Sequence, residues 1–119
     1  MSSKKAAHKA TLGKINSLIL QKTRISNSNS KPKTAAQLER HVKGIANHYR
    51  ISILFLIAER NGITLDQIVQ TLGGNEKTFS EHTRKLHHAG LIIKKYRGTS
   101  VEHSLSTYGR TFYKFLLSI

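Results

Sequence analysis

The stretch NEKTFSEHTRKLHHAGLI, residues 75–92, gathers the side chains of this sequence best suited to chemistry. It holds His82, His87 and His88, a Ser80-x-His82 pair, and the cations Lys77, Arg84 and Lys85. Such residues serve three chemistries: a nucleophile with its base, a metal site, or a polar reading face. Spacing separates them. On a helix, residues two apart point about 200° away from each other, so Ser80 and His82 cannot share a hydrogen bond. Glu81, between them, points to a third side. His87 and His88 diverge in the same way. His82 and His87 stand five apart, one residue off the i, i+4 spacing that brings two imidazoles to one metal. His41 and His48 share a helix face but lie about 10 Å apart along it. The seven histidines therefore read as surface groups, some assisting anion contact when protonated. No enzymatic activity, no cofactor and no metal is expected.

The charge balance favours the reading face. Twenty Lys and Arg face six Asp and Glu, a formal net charge of +14 on 119 residues. A small domain with that excess is expected to bind polyanions, nucleic acid ahead of an anionic membrane. Cysteine is absent, which removes disulfides, thiolate metal sites and cysteine nucleophiles together. The apolar fraction of 38% suits a globular chain. The longest apolar run, Ile51 to Ala58, falls far short of the ~18 to 20 residues of a membrane helix.

The elements that must position the stretch follow from periodicity and punctuation. Residues 1–33 carry many Lys, Ser, Thr and Ala and no acid, and read as a flexible basic arm. The composition faintly suggests a transit peptide, but Lys far outnumbers Arg, which points away from one. Within the arm, Leu12, Ile15, Leu18 and Ile19 fall at helical spacing. SNSNSKPK, residues 26–33, is a polar linker. Residues 34–119 are the expected folded domain. Thr34 with Gln37 forms a capping-box pattern ahead of the stripe Leu38, Val42, Ile45 and Ala46. YRISILFLIAER is apolar on more than one face and reads as the central buried helix, stopped by Asn61-Gly62. Thr64 and Gln67 cap a short third helix lined by Leu65, Ile68, Val69 and Leu72. After Gly73-Gly74, Asn75 caps a fourth helix that points Phe79, Thr83 and Leu86 inward and ends at Ala89-Gly90. Leu91 to Tyr96 and Val101 to Leu105 read as strands around Arg97-Gly98-Thr99-Ser100. Ser106 or Thr107 caps a last helix carrying Phe112, Phe115, Leu116 and Ile119.

The fold class is therefore mainly α with a small β-hairpin. The order α-α-α-α-β-β-α, with a glycine turn before the fourth helix and a basic hairpin after it, describes a winged helix-turn-helix. The segment ANHYRISILFLIAERNGITLDQIVQTLGGNEKTFSEHTRKLHHAGLIIKKYRGTSVEHSLSTYGR resembles the core of arsenic-repressor (ArsR) type regulators. The resemblance is carried by Ala46-Asn47 and Arg50-Ile51, and by Leu72-Gly73 before the turn. It continues with Thr78, Ser80, His82 and Leu86 on the fourth helix, then Ala89-Gly90-Leu91-Ile92 and Leu105 to Arg110. It implies a transcriptional regulator, repressor-like, whose His82 braces the fourth helix near the backbone, as structural support or a phosphate contact and not as a base reader. Metal-sensing members carry Cys-x-Cys near the start of the third helix, where this chain has Thr64-Leu65-Asp66. Others use Asp and His on the last helix, and STYGRTFYKFLLSI has neither.

The expected partner is double-stranded DNA, with no membrane and no metal. On the recognition helix the candidates are Asn75, Lys77, Thr78, Ser80, Glu81 and Arg84. Lys77 and Arg84 can donate to base edges or phosphates, and Thr78 and Ser80 suit short contacts. Glu81 either accepts from a cytosine amino group or holds Lys77 or Lys85 through an i, i+4 pair, the second being preferred. On the wing, Lys94, Lys95, Arg97, Thr99 and Ser100 form an expected donor cluster for phosphate. Lys4, Lys5, Lys9 and Lys14 of the arm are expected to lie along the duplex. Apolar first and last helices suggest a homodimer, which would set two recognition helices about 34 Å apart. The expected location is cytoplasmic, on the nucleoid. Rival readings are a sequence-tolerant architectural DNA binder, or an RNA-binding or scaffolding winged helix.

Overall fold

The computed structural model describes residues 32–119. The arm lysines Lys4, Lys5, Lys9 and Lys14 and the helix expected over Leu12 to Ile19 lie outside the described residues. The chain divides into two units between Arg40 and His41, inside helix α1 (Ala35–Ile45). At the start of α1, Thr34 Oγ1 accepts from the Gln37 amide at 3.2 Å and Gln37 Oε1 accepts from the Thr34 amide at 3.0 Å. That is the expected capping box.

The second unit holds the rest of α1, then α2 (His48–Glu59), β1 (Ile63–Thr64), α3 (Leu65–Leu72) and α4 (Glu76–His88). After these come β2 (Ile92–Arg97), β3 (Ser100–Leu105) and α5 (Thr107–Leu117). Asn47 starts α2 by accepting from the amides of Tyr49 and Arg50. Apolar on more than one face, α2 is the central helix: Ile53, Leu54, Leu56 and Ile57 are buried, while His48, Ser52 and Glu59 remain exposed. The core closes on it with Ile68, Phe79, Leu86, Leu91, Ile92 and Leu105.

The sheet has one strand more than the sequence suggested. Ile63 and Thr64 pair antiparallel with His103 and Glu102, giving the order β1-β3-β2. Two residues are too short to show a strand period, and Thr64 also caps α3. The hairpin is tighter than expected. Arg97 pairs with Ser100, so the turn is the two residues Gly98-Thr99, with Gly98 at φ 60°, a left-handed conformation that glycine adopts without strain.

One other expectation needs correction. His41 and His103 are not surface groups: each is buried, with Nδ1 donating to a backbone carbonyl, of Ala89 and Ile63 respectively. Each carbonyl gives one buried ring nitrogen a hydrogen-bond partner. The last helix keeps the apolar surplus that suggested a homodimer: Phe112 and Leu116 pack on the core, while Phe115 and Leu117 of α5 and Ile119 just after it are 59%, 57% and 85% exposed.

Candidate nucleic-acid interface

Helix α4 is built to hold one face still and show the other. Asn75 caps it, its side chain accepting from the Thr78 amide at 3.2 Å, and Glu76 in the first turn suits the positive end of the helix dipole. Phe79, Thr83 and Leu86 are buried as the sequence suggested. Thr83, though polar, fits because its hydroxyl donates to the Ser80 carbonyl at 2.9 Å. The other side exposes Lys77, Thr78, Ser80, Glu81 and Arg84, and the capping Asn75 is exposed at the helix start. All six recognition-helix candidates thus reach solvent, five of them on α4 and Asn75 at its cap.

His82 sits at the edge of that face as a brace. Its ring stacks on Tyr49 at 5.6 Å and 25°, and its Nδ1 lies 3.3 Å from Nη1 of Arg50. Arg50 is itself buried, its Nε donating to the Gly44 carbonyl at 2.6 Å. Burial, then the charges of Arg50 and Lys85, hold the His82 imidazole below its ordinary range. Accepting from Arg50 and stacked on Tyr49, the ring ties α4 to α2. Tyr49 and Arg50 are supports whose part sequence reasoning missed, because α2 joins α4 only through the fold.

Glu81 does not take the partner expected of it. It pairs with Arg84, one turn on, where Nε donates to Oε2 at 3.0 Å and Nη2 donates to Oε1. Lys85 acts on the carboxylate only through its charge, and the Arg84 hydrogen bond is the first cause holding Glu81 below the usual carboxylate range. The fork of the guanidinium fits both carboxylate oxygens at once, which a lysine ammonium cannot do.

The wing residues do not form one cluster. The pairing Lys94↔His103 and Tyr96↔Val101 sets Lys94 on the face toward the helices. The pairing Lys95↔Glu102 and Arg97↔Ser100 sets Lys95 and Arg97 on the other. On that outer face Arg97 Nε lies 2.5 Å from Oε1 of Glu102. On the inner face Lys94 lines a cleft of about 330 Å³ with Glu76, Ser80, Thr83, Tyr96 and Thr99. Burial first, and then the neighbouring Arg84 charge, hold the Lys94 ammonium below its ordinary range. Thr99 and Ser100 are exposed at the tip. Tyr96, 74% exposed beside them, is a contact candidate that the sequence reading passed over.

The wing is tied to the end of α4. Ser106 donates its hydroxyl to the Gly90 carbonyl at 2.6 Å and its amide to the Leu91 carbonyl at 3.1 Å. It also accepts from the Gly109 amide, capping α5. A Cβ at Gly109 would run into the Leu91 carbonyl, so this junction requires glycine.

Among the described residues no three histidine or carboxylate side chains converge, and no helix is long and apolar enough to cross a membrane. No protein-family model and no curated protein matches the sequence. Solved structures do match. HlyU from Vibrio cholerae is 23% identical, with a TM-score of 0.64 over 69% of this chain and 89% of its own. A homodimeric winged helix-turn-helix DNA-binding domain, Mb0332 from Mycobacterium bovis, described as a possible ArsR-family regulator, is 24% identical. It gives a TM-score of 0.65 over 70% of this chain and 77% of its own. The transcriptional repressor PagR of Bacillus anthracis is 20% identical, with a TM-score of 0.63 over 68% of this chain and 93% of its own. Taken with the glycine turn, the exposed α4 and the hairpin after it, these likenesses show that the chain has a winged helix-turn-helix fold.

Proposed function

We propose that the chain is a homodimeric, repressor-like transcriptional regulator that binds double-stranded DNA with sequence preference. In this reading residues 34–119 bind DNA and dimerise, and residues 1–33 are a basic arm. The observation that carries the proposal is the exposed face of α4, with Lys77, Thr78, Ser80, Glu81 and Arg84 on a helix whose other side is locked into the core. Such a helix can enter a major groove and offer donors and acceptors to base edges. Lys95, Arg97, Thr99 and Ser100 would meet the flanking backbone, and Lys4, Lys5, Lys9 and Lys14 would follow the duplex further. HlyU, PagR and Mb0332 share the fold, and the homodimeric state of Mb0332 supports the same for this chain. So does the apolar end of α5, where Phe115, Leu117 and Ile119 stand exposed. A nucleoid location follows from such binding.

Selection of bound sequences from a random duplex pool tests the reading, followed by titration of the recovered and a scrambled duplex. Specific binding should exceed non-specific binding by about a thousandfold or more at physiological salt. A difference below about tenfold would remove the regulator reading. It would leave a sequence-tolerant architectural binder, which the +14 charge favours.

A further inference from the structure

A carboxylate at the centre of a surface proposed to meet a polyanion needs a reason. Glu81 grips Arg84 side-on, accepting from Nε and from Nη2. A guanidinium carries five N–H groups, and this grip uses one of its edges. The end-on edge is left, with parallel N–H bonds on Nη1 and Nη2 whose spacing matches O6 and N7 of guanine. Both side chains are about half exposed, so packing does little to choose a rotamer for Arg84. The fork to Glu81 fixes the plane of the guanidinium instead. Lys85 follows directly on the helix, and Lys94 of the wing stands close enough for the Arg84 charge to act on it. Without Glu81, Arg84 would add its charge to that field and seek any phosphate within reach.

We infer that Glu81 is a specificity-determining positioning residue, which holds Arg84 side-on so that its end-on edge reads a guanine. It also cancels the charge that would make Arg84 a general phosphate contact. The inference rests on the DNA-binding reading above and names a base for the recovered site.

The test compares the full chain with Glu81→Gln, Arg84→Ala and the double variant, on the selected and the scrambled duplex, across a salt series. Both residues are exposed, and thermal melts check that the variants remain folded. Glu81→Gln should bind the scrambled duplex more tightly, steepen the salt slope by about one unit and lower the selected-to-scrambled ratio about tenfold. In the Arg84→Ala background the same change should move that ratio less than about twofold, as expected when two residues act as one unit. Replacing one guanine of the site by 7-deazaguanine should weaken the wild type and leave Arg84→Ala unaffected. An unchanged ratio in either single variant overturns the inference. An equal drop from Glu81→Gln in both backgrounds also overturns it, and makes Glu81 a direct reader of cytosine. Wild-type chain that shows no preference among duplexes removes the parent reading, and does so before any variant is compared.

Discussion

Arg84 and Lys77 lie on one exposed helix face, yet the Arg84 guanidinium already donates twice to Glu81. Replacing it is therefore expected to change selectivity more than bulk attraction. Arg84→Ala should reduce the ratio of selected to scrambled affinity by about tenfold or more, measured by fluorescence anisotropy, and an unchanged ratio would put the base contact elsewhere. At His103 the same scale gives a pH dependence. Burial holds its imidazole below the ordinary value, with the Lys94 and His87 charges acting in the same sense and the Ile63 carbonyl partly opposing them. A histidine whose folded pKa is lowered binds fewer protons folded than unfolded, so its contribution is complete above the unfolded value of about 6.5. It is lost as pH falls through the lower folded value. The melting temperature should drop as pH falls below about 6.5, and His103→Gln should flatten that drop. Identical pH profiles would assign the acid sensitivity to other groups. Neither buried histidine was legible in the sequence, since the carbonyls that receive His41 and His103 lie 48 and 40 residues away.

Among the elements, helices announced themselves and the sheet only half did. The caps Thr34, Thr64 and Asn75 each gather their partners within three residues, so their geometry could be read from spacing alone. β1 could not, because its pairing with β3 is made nearly 40 residues along the chain. The opposite facing of Lys94 and Lys95 was legible in the period of two and was overlooked in favour of their adjacency. Its consequence is testable on the outer face. Lys95→Ala should weaken all duplexes alike and reduce the salt slope by about one unit, whereas a slope that does not move would take the outer wing off the DNA. At the root of the wing, Gly109→Ala forces a methyl group against the Leu91 carbonyl. A loss of about 1–3 kcal/mol in denaturant unfolding is expected, as for other overpacked sites, and a neutral substitution would show that α5 can shift away.

For the whole molecule, the decisive surface is the end of α5. Phe115, Leu117 and Ile119 stand exposed there, and helical spacing alone marks such an apolar stripe without saying what covers it. In the proposed dimer a second copy covers it. Phe115→Glu should raise the dimer dissociation constant about tenfold or more in sedimentation equilibrium, and an unaltered constant would place the interface elsewhere. The Ser106 junction sets the tolerance of such a dimer. One serine binds the end of α4, the root of the wing and the start of α5, so the distance from helix to wing behaves as the fixed jaw of a caliper. On the proposed DNA each protomer would then accept only one half-site length, while the gap between half-sites would be free to vary with the partner. An operator for this chain should read as two rigid words with an adjustable space between them.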